Sequence, residues 1–362
     1  MRDALLGIQA NDLDVATDAT PEQIEALFKK TVNVGKSFGV MRVLVEGADI
    51  EVATFRNDGA YLDGRRPESV VFSTPMDDAQ RRDFTVNALM YDLSTDQVLD
   101  YVGGQADLKA GILRTVGDAE GRFLEDHLRL LRAARFAAQL NFVIEDKTTQ
   151  AMTRMAALVR KVSGERIRDE MNKLLKTQAA QRGLEVMVQT GLMRELFAFR
   201  VRDNSWWSCS LVQESWQSLA LFVRKADSVE MEQALDLLRL SSRERRCIED
   251  SWGVWQDALA LLNLNMGKKL QKMTRDGVVF ALRVLLLESQ HVAQIQELFA
   301  QWDLWQRQLP RPFLNGEDVK GLLTGKAIGD CLERAFELQL ERSLQSRDEA
   351  LQWLKTYLKK EV

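Results

Sequence analysis

The hydrophobic and polar positions follow two different periods along the chain, and the period changes near residue 112. Before that point, short runs rich in β-branched and aromatic residues alternate with Gly, Asp and Asn, which is typical of strands and turns. One helix is predicted from Thr20, because Pro21 and Gln23 complete an N-terminal capping pattern. This part has the pattern of an α+β unit, with strands predicted in LDVAT, MRVLVEG, IEVATFR, SVVFS and QVLDYVGG.

From Leu113 onward, apolar residues recur at spacings of three and four, as they do on one face of an α-helix. The clearest segments are HLRLLRAARFAAQL, MTRMAALVRKV and IRDEMNKLL. No proline occurs between Met76 and Leu309, so long packed helices are permitted there. We predict that the remainder of the chain is helical, with boundaries near residues 112, 175 and 262.

Composition excludes several classes of protein and of site. Of the 362 residues, 46% are hydrophobic and 28% are charged, which is the balance of a globular chain, and no apolar run is long enough to span a membrane. Three separate cysteines and two histidines argue against a disulfide framework, a zinc cluster and a histidine triad. We therefore expect a cytoplasmic protein whose chemistry depends on carboxylates. Because the net charge is -4, nucleic acid would bind only at a local basic surface.

The first candidate site lies at the start of a predicted strand, in the sequence NDLDVAT. Side chains alternate along a strand, so Asp12 and Asp14 project from one face while Leu13 and Val15 face the core. Two carboxylates at this spacing can bind Mg²⁺ ions, which activate an attacking oxygen and neutralise a leaving phosphate. For an isolated pair of this kind, capping of a turn or exposure to solvent is the alternative.

The second candidate is the segment RRDFT at residues 81–85. Asp83 or Thr85 suits the cap of a helix that starts here, and Arg82 then points toward an anion such as a triphosphate. A solvated pair of arginines is the alternative.

The third candidate is the helical pattern at residues 125–136. On one continuous helix, Asp126 and Arg129 are neighbours one turn apart, and Arg132 and Arg135 extend the same row. A carboxylate beside a guanidinium presents an acceptor next to a donor, which complements the edges of cytosine and adenine but not those of uracil and guanine. Three arginines with one aspartate also leave positive charge for a ligand. We predict that the protein itself selects the base, with surface ion pairing as the alternative.

Taken in order, several segments closely resemble the class II tRNA nucleotidyltransferase and bacterial poly(A) polymerase family. The resemblance is specific over residues 1–175 and looser beyond, and its segments are RDALLG, NDLDVATDATPEQ, IEVATFR, RRPESVVF, RRDFTVNALMYD, DYVGGQADLKAGILRTVG, RFLEDHLRLLRAARFAAQL and SGERIRDEMNKLL. It implies an α+β fold, in which a polymerase-β-type nucleotidyltransferase head with a mixed sheet is followed by an all-helical neck, body and tail. The implied domains are the head at 1–112, the nucleotide-selecting neck at 113–175, and an RNA-binding body and tail at 176–262 and 263–362.

The resemblance also implies the roles of individual residues. The catalytic, metal-binding aspartates fall on Asp12 and Asp14, with Mg²⁺ as the cofactor. The implied substrates are CTP, ATP and the 3′ end of tRNA. Glu51 is either a third carboxylate beside the pair or a structural residue at a strand edge. The nucleotide-binding residues are the base-selecting Asp126 and Arg129 together with Arg2, Arg82, Arg132 and Arg135.

Within the family, the segment NDGAYLDGRRPESVVF resembles the flexible loop of CCA-adding and A-adding enzymes. This favours addition of CCA over A-adding, poly(A) or CC-adding activity. The chain begins inside the first motif of the family, at Arg2, without the strand and Gly-Gly loop that precede this arginine in relatives. We expect a start site assigned too far downstream, or else a shortened head that leaves a catalytically inert RNA-binding protein.

Overall fold

A computed structural model describes residues 1–9, 13–59, 64, 68–197 and 212–361, with the backbone alone for 360 and 361. The chain divides into two compact units. Unit 1 comprises the described residues of Met1–Ser208 and Lys225–Arg239, and unit 2 comprises those of Cys209–Arg224 and Leu240–Val362. Within the described ranges, no helix is long and apolar enough to cross a bilayer. The predicted division into head, neck, body and tail stays a prediction.

The strands of the described residues all lie in unit 1. They are β1 Asp14–Thr17, β2 Thr31–Gly35, β3 Val40–Val45, β4 Ala48–Thr54, β5 Arg56–Asp58, β6 Val70–Phe72, β7 Met90–Asp92, β8 Gln97–Leu99, β9 Ile112–Leu113 and β10 Val143–Ile144. The main sheet has the order β1-β4-β3-β2, in which β1 is parallel to β4 and the other pairs are antiparallel. The other strands form the pairs β5 with β6, β7 with β8, and β9 with β10.

Helices make up most of the rest of both units. In unit 1 they are α1 Arg2–Leu5, α2 Pro21–Leu27, α3 Pro75–Gln80, α4 Gly104–Ala110, α5 Ala119–Glu125, α6 Arg129–Leu140, α7 Asp146–Met155, α8 Gly164–Leu175, α9 Ala180–Gln189, α10 Leu192–Leu196 and α12 Ser228–Leu237. In unit 2 they are α11 Ser215–Val223, α13 Ser242–Gln256, α14 Ala258–Leu262, α15 Met266–Lys272, α16 Asp276–Leu287, α17 Val292–Leu304, α18 Gly316–Val319, α19 Lys326–Leu340 and α20 Arg347–Glu361. Three 3₁₀ turns cover Lys36–Phe38, Thr85–Asn87 and Ala156–Lys161. The predicted α+β fold class is confirmed.

Helix α2 covers one face of the main sheet. Its predicted cap is confirmed, since the Thr20 hydroxyl accepts from the Gln23 amide and the Gln23 side chain accepts from the Thr20 amide. The helix buries Ile24 against Met41, Val43 and Val52 of the sheet. Because side chains alternate along strands, Asp14, Arg42 and Glu51 lie on the opposite face of the sheet, together with the exposed Val32 and Leu44.

Three expectations about local structure are wrong. Leu13 and Val15, which were expected to face the core, are 72% and 36% exposed. In QVLDYVGG the strand β8 ends at Leu99, because the Asp100 carboxylate accepts from the backbone amides of residues 102–105 and so leads the chain into α4. The helical region after Leu113 also contains β10, which pairs in parallel with β9.

In unit 2, helices α13 and α16 cross at Gly277. A Cβ atom at Gly277 would lie 2.1 Å from the carbonyl oxygen of Cys247, and the Ser251 hydroxyl donates to the carbonyl oxygen of Gly277 at 2.9 Å. We therefore expect Gly277→Ala to lower the free energy of unfolding by about 1–3 kcal/mol, as overpacking of a close contact does.

Gly253, in the last turn of α13, provides the matched control for that substitution. Nothing lies within 4 Å of a Cβ atom at this position. Gly253→Ala should raise the free energy of unfolding by about 0.5–1 kcal/mol, because alanine is the better helix former. Urea unfolding of both variants measures the difference, and equal effects at the two positions would contradict the close crossing.

Candidate active site

The face of the main sheet opposite α2 carries the described half of the predicted metal site. Asp14 pairs in register with Glu51 of the parallel strand β4, and Glu51 pairs in turn with Arg42 of β3. These side chains therefore lie on one face, opposite the buried Met41 and Val52. Asp14 and Glu51 are both exposed. Asp12 lies outside the described residues.

This donor set fits a divalent cation. Carboxylate oxygens are the ligands that Mg²⁺ prefers, and Asp14 and Glu51 present two carboxylates side by side on neighbouring strands. Among the described residues no group of three or more His, Cys, Asp or Glu side chains is arranged to hold a metal. Of the two aspartates, the described one, Asp14, has Glu51 beside it, and the role of Glu51 stays a prediction.

Arg2 of α1 contacts the RRDFT segment through Asn87. Its Nη1 donates to the Asn87 Oδ1 at 2.6 Å, and the Asn87 Nδ2 donates to the Asp83 Oδ1 at 3.0 Å. Arg2 also donates from Nε to the Asp3 Oδ1 at 2.7 Å. The helix predicted to start at this segment is only the 3₁₀ turn Thr85–Asn87. The carboxylate of Asp83, which precedes this turn, instead connects Asn87 with Arg132 of α6.

Arg82 and its neighbour Arg81 share a buried carboxylate. Asp78, only 2% exposed, accepts from Arg82 Nη2 at 3.0 Å and from Arg81 Nε at 2.9 Å. This fixes both arginines relative to α3. Asp78 was not predicted as a site residue. Its spacing of three and four residues from the two arginines is nevertheless the pattern that indicates ion pairs on a helix.

The predicted continuous helix through Asp126 and Arg129 is wrong. Helix α5 ends at Glu125, Asp126 has an extended backbone, and α6 begins at Arg129. The cause is Asp126 itself, because its Oδ1 accepts from the backbone amide of Leu128 at 3.0 Å and so competes with the helix. The two residues remain adjacent, since the Arg129 amide donates to the Asp126 carbonyl oxygen at 3.0 Å.

Arg166 of α8 holds the Asp126 carboxylate. Its Nη2 donates to Oδ2 at 2.8 Å and to Oδ1 at 3.1 Å. Each carboxylate oxygen has about two lone-pair sites. Leu128 and Arg166 thus use both sites on Oδ1, and one site remains on Oδ2 for the amino group of a base. Arg166 was not predicted as a site residue, because no spacing pattern connects positions that are 40 residues apart.

Arg129 is held from three sides. Its Nη1 donates to the Arg122 carbonyl oxygen at 3.1 Å and to Glu125 Oε2 at 2.5 Å, and its Nη2 donates to the Arg81 carbonyl oxygen at 3.1 Å. A guanidinium has five N–H donors. With three of them used in the part of the chain that the structure describes, two remain for a ligand.

The predicted surplus of positive charge on α6 is also wrong. Arg132 donates from Nε to Asp83 Oδ2 at 2.7 Å, and Arg135 donates from Nε to Glu170 Oε2 at 2.5 Å. With the pair of Arg129 and Glu125, each arginine of the row has a carboxylate partner. Arg135 is the most enclosed of the three: with its side chain 9% exposed, burial lowers its pKa.

Asp83 is buried beside Arg132, with 7% of the residue exposed. Burial opposes its ionisation, but the guanidinium of Arg132 and hydrogen bonds from Asn87 and the Phe84 amide outweigh burial and place the pKa of Asp83 below its ordinary value. Asp83→Asn should therefore lower the free energy of unfolding at pH 7 by about 2 kcal/mol, less than for a fully buried pair because Arg132 is partly exposed.

The lowered pKa of Asp83 determines how the destabilisation by Asp83→Asn depends on pH. A carboxyl group whose pKa is lowered on folding stabilises the protein above its ordinary pKa, near 3.9, and that stabilisation is lost as the pH falls through the lower, folded value. The difference between wild type and Asp83→Asn should accordingly shrink below about pH 4. Urea unfolding from pH 7 to pH 3 measures it, and a difference that stays constant over this range would contradict the assignment.

The structure thus joins part of the predicted site. A continuous set of contacts connects Arg2, Asn87, Asp83 and Arg132, and the Arg81 carbonyl beside Arg82 accepts from Arg129. The side chain of Asp14 makes no hydrogen bond or ion pair with any described residue, and its meeting with this cluster in one cleft stays a prediction.

Comparison with known proteins gives the family. Residues 1–114 match the model of the poly(A) polymerase head domain, and residues 141–199 match the model described as a probable RNA- and SrmB-binding site of polymerase A. The chain is 33% identical to the CCA-adding enzyme of Bacillus pumilus over 98% of its own length and 90% of that enzyme. It is 40% identical to the CCA-adding enzyme of Bacillus subtilis over 61% of its length and 58% of that enzyme.

Solved structures agree with this assignment. The CCA-adding enzyme of Bacillus stearothermophilus in complex with CTP superposes with a TM-score of 0.79 at 27% identity, covering 99% of this chain and 92% of that one. The CCA-adding enzyme of Thermotoga maritima with tRNA shares the fold, with a TM-score of 0.65 at 22% identity over 99% and 89% of the two chains. Enzymes of this family are nucleotidyltransferases, which generally use divalent metal ions. The chain belongs to the family of CCA-adding enzymes.

Proposed function

We propose that this protein adds the nucleotides C, C and A to the 3′ end of tRNA, using CTP and ATP and no nucleic-acid template. The observation that carries the proposal is the match along nearly the whole chain to a CCA-adding enzyme. The solved relative that binds CTP supports the same substrate class. We place the reaction in the cytoplasm, which suits the free, buried thiol of Cys247.

The carboxylates of β1 and β4 are proposed to hold the metal. Asp12 and Asp14 would bind Mg²⁺, with Glu51 beside Asp14 on the same face of the sheet. When bound, Mg²⁺ would lower the pKa of the RNA 3′-hydroxyl and neutralise charge on the phosphates. The hydroxyl loses its proton to solvent, its oxygen forms a bond to the α-phosphorus, and the bond from that phosphorus to the leaving pyrophosphate breaks. The exposure of Asp14 and Glu51 leaves room for both substrates.

The arginines are proposed to bind the nucleotide. Arg2, Arg82, Arg132 and Arg135 provide guanidinium groups, which bind phosphate oxygens through charge-assisted hydrogen bonds. Each is already paired with a protein carboxylate, so a triphosphate binds to the N–H donors that those pairs leave unused. Arg82 and Arg132 are the more accessible, with side chains 37% and 31% exposed.

Base selection is proposed for Asp126 and Arg129. The remaining acceptor site on Asp126 Oδ2 accepts the amino group of cytosine or adenine, and a remaining donor of Arg129 binds the adjacent ring nitrogen. Uracil and guanine present an acceptor where Asp126 needs a donor, which leaves buried polar groups unpaired and is costly.

The test is incorporation of labelled CTP and ATP into a tRNA transcript that lacks its 3′ CCA, with Mg²⁺ present. We expect two C residues with CTP alone and one further A when ATP is added. A long A tract would indicate poly(A) polymerase activity, addition of A alone to a CC-ending tRNA would indicate an A-adding enzyme, and tRNA binding without any product would indicate an RNA-binding protein. Each of these three results contradicts the proposal.

A further inference from the structure

Phe136 lies where three guanidinium groups meet. The Cζ atoms of Arg135, Arg2 and Arg132 are 3.8, 5.1 and 5.2 Å from the centroid of its ring. The ring is 5% exposed and packs edge-to-face against Phe84, with 5.8 Å between ring centroids. Arg2 belongs to α1 and Phe84 to the RRDFT segment, so the ring of α6 contacts two other parts of unit 1.

Three like charges around one buried ring require compensation. Part of it comes from carboxylates, since Asp3, Asp83 and Glu170 each pair with one of the arginines. The rest comes from the ring, because the negative face of an aromatic ring attracts a cation within about 6 Å of its centroid. An aliphatic side chain of similar size would fill the same space without this attraction.

We propose that Phe136 is a positioning residue. Its ring holds the guanidinium groups of Arg2, Arg132 and Arg135 in one cluster that binds a nucleoside triphosphate. The identity of the ligand rests on the proposed function. Arginines that are in place before the nucleotide arrives lose less conformational freedom on binding, so the affinity is higher. CTP and ATP carry the same triphosphate. The ring therefore affects both equally and does not affect the choice of base, which is proposed for Asp126 and Arg129.

The test replaces Phe136 by mono-, di- and trifluorophenylalanine through nonsense suppression in the full chain. Each fluorine withdraws charge from the face of the ring while the volume of the side chain changes little. We expect the dissociation constants of CTP and of ATP, measured with Mg²⁺ by equilibrium dialysis, to rise in step, to about tenfold for the trifluoro variant. The ratio of CTP to UTP affinity should stay the same.

Phe123 provides the matched control. It is fully buried in α5 of the same unit, and among the described residues no cation lies over its ring. The same fluorinated series at Phe123 should leave both dissociation constants unchanged. Constants that do not change across the Phe136 series, or that rise equally in the two series, would overturn the proposal, as would a wild-type protein that binds neither nucleotide. A wild-type protein that binds both nucleotides but adds none to tRNA would instead contradict the proposed function.

Discussion

Asp14→Asn is expected to abolish the addition of both C and A, with a fall in the incorporation rate of about a thousandfold or more. Asp14 is an exposed carboxylate in register with Glu51, and its conversion to an amide removes a charged ligand of the proposed metal. Stabilisation of charge by a metal ion amounts to several kcal/mol in the transition state, and about 1.4 kcal/mol corresponds to a factor of ten in rate. The measurement is single-turnover incorporation from CTP, and separately from ATP.

Glu46→Gln is the control for this prediction. Glu46 lies in the turn between β3 and β4. Its substitution therefore removes one carboxylate near the same sheet and leaves the face that carries Asp14 unchanged. We expect it to leave the rate unchanged, and both variants should unfold within about 0.5 kcal/mol of wild type. An active Asp14→Asn protein would remove this residue from the metal site.

Asp126→Asn is expected to relax the choice of base by about ten- to a hundredfold. The substitution keeps the size of the side chain but places an N–H donor on a group that otherwise only accepts hydrogen bonds. The variant should then lose preference for CTP over UTP and for ATP over GTP, since a well-placed pair of hydrogen bonds to a base provides about 1–3 kcal/mol of discrimination. The ratio of incorporation efficiencies for each pair of nucleotides measures the effect.

Asp169→Asn removes one carboxylate from the outside of α8, where the Asp169 side chain is 60% exposed, and serves as the control for charge alone. It should leave both ratios unchanged. If Asp126→Asn discriminates between CTP and UTP as well as wild type does, base selection does not depend on this carboxylate.

Local signals predicted the elements whose cause is local. The capping residues at Thr20 and Gln23 predicted α2, and the β-branched run LDVAT predicted β1. The end of β8 could not be read from the same pattern, because Asp100 binds four backbone amides that follow it. The break at Asp126 has the same origin. In both places a short polar side chain binds backbone amides and so competes with helix or strand. The periodic pattern of apolar residues contains no information about that competition.

For the candidate site, the sequence indicated the residue types but not their partners. The carboxylate that pairs with Arg132 belongs to Asp83, 49 positions away. The guanidinium that pairs with Asp126 belongs to Arg166, 40 positions away. Such pairs are created by the packing of α6 and α8 against each other and against the RRDFT segment. The expectation of unpaired arginines on α6 failed because it considered one helix alone.

The central claim is that the metal-binding carboxylates and the base-selecting pair act on the same nucleotide. The most direct measurement is a crystal structure of the protein with Mg²⁺, CTP and a tRNA that lacks its 3′ CCA and ends in a 3′-deoxynucleotide. We expect the cytosine amino group within about 2.7–3.2 Å of an Asp126 carboxylate oxygen and the α-phosphate beside the metal held by Asp14. A cytosine bound away from Asp126 and Arg129, or an α-phosphate on a different face from Asp14, would contradict it.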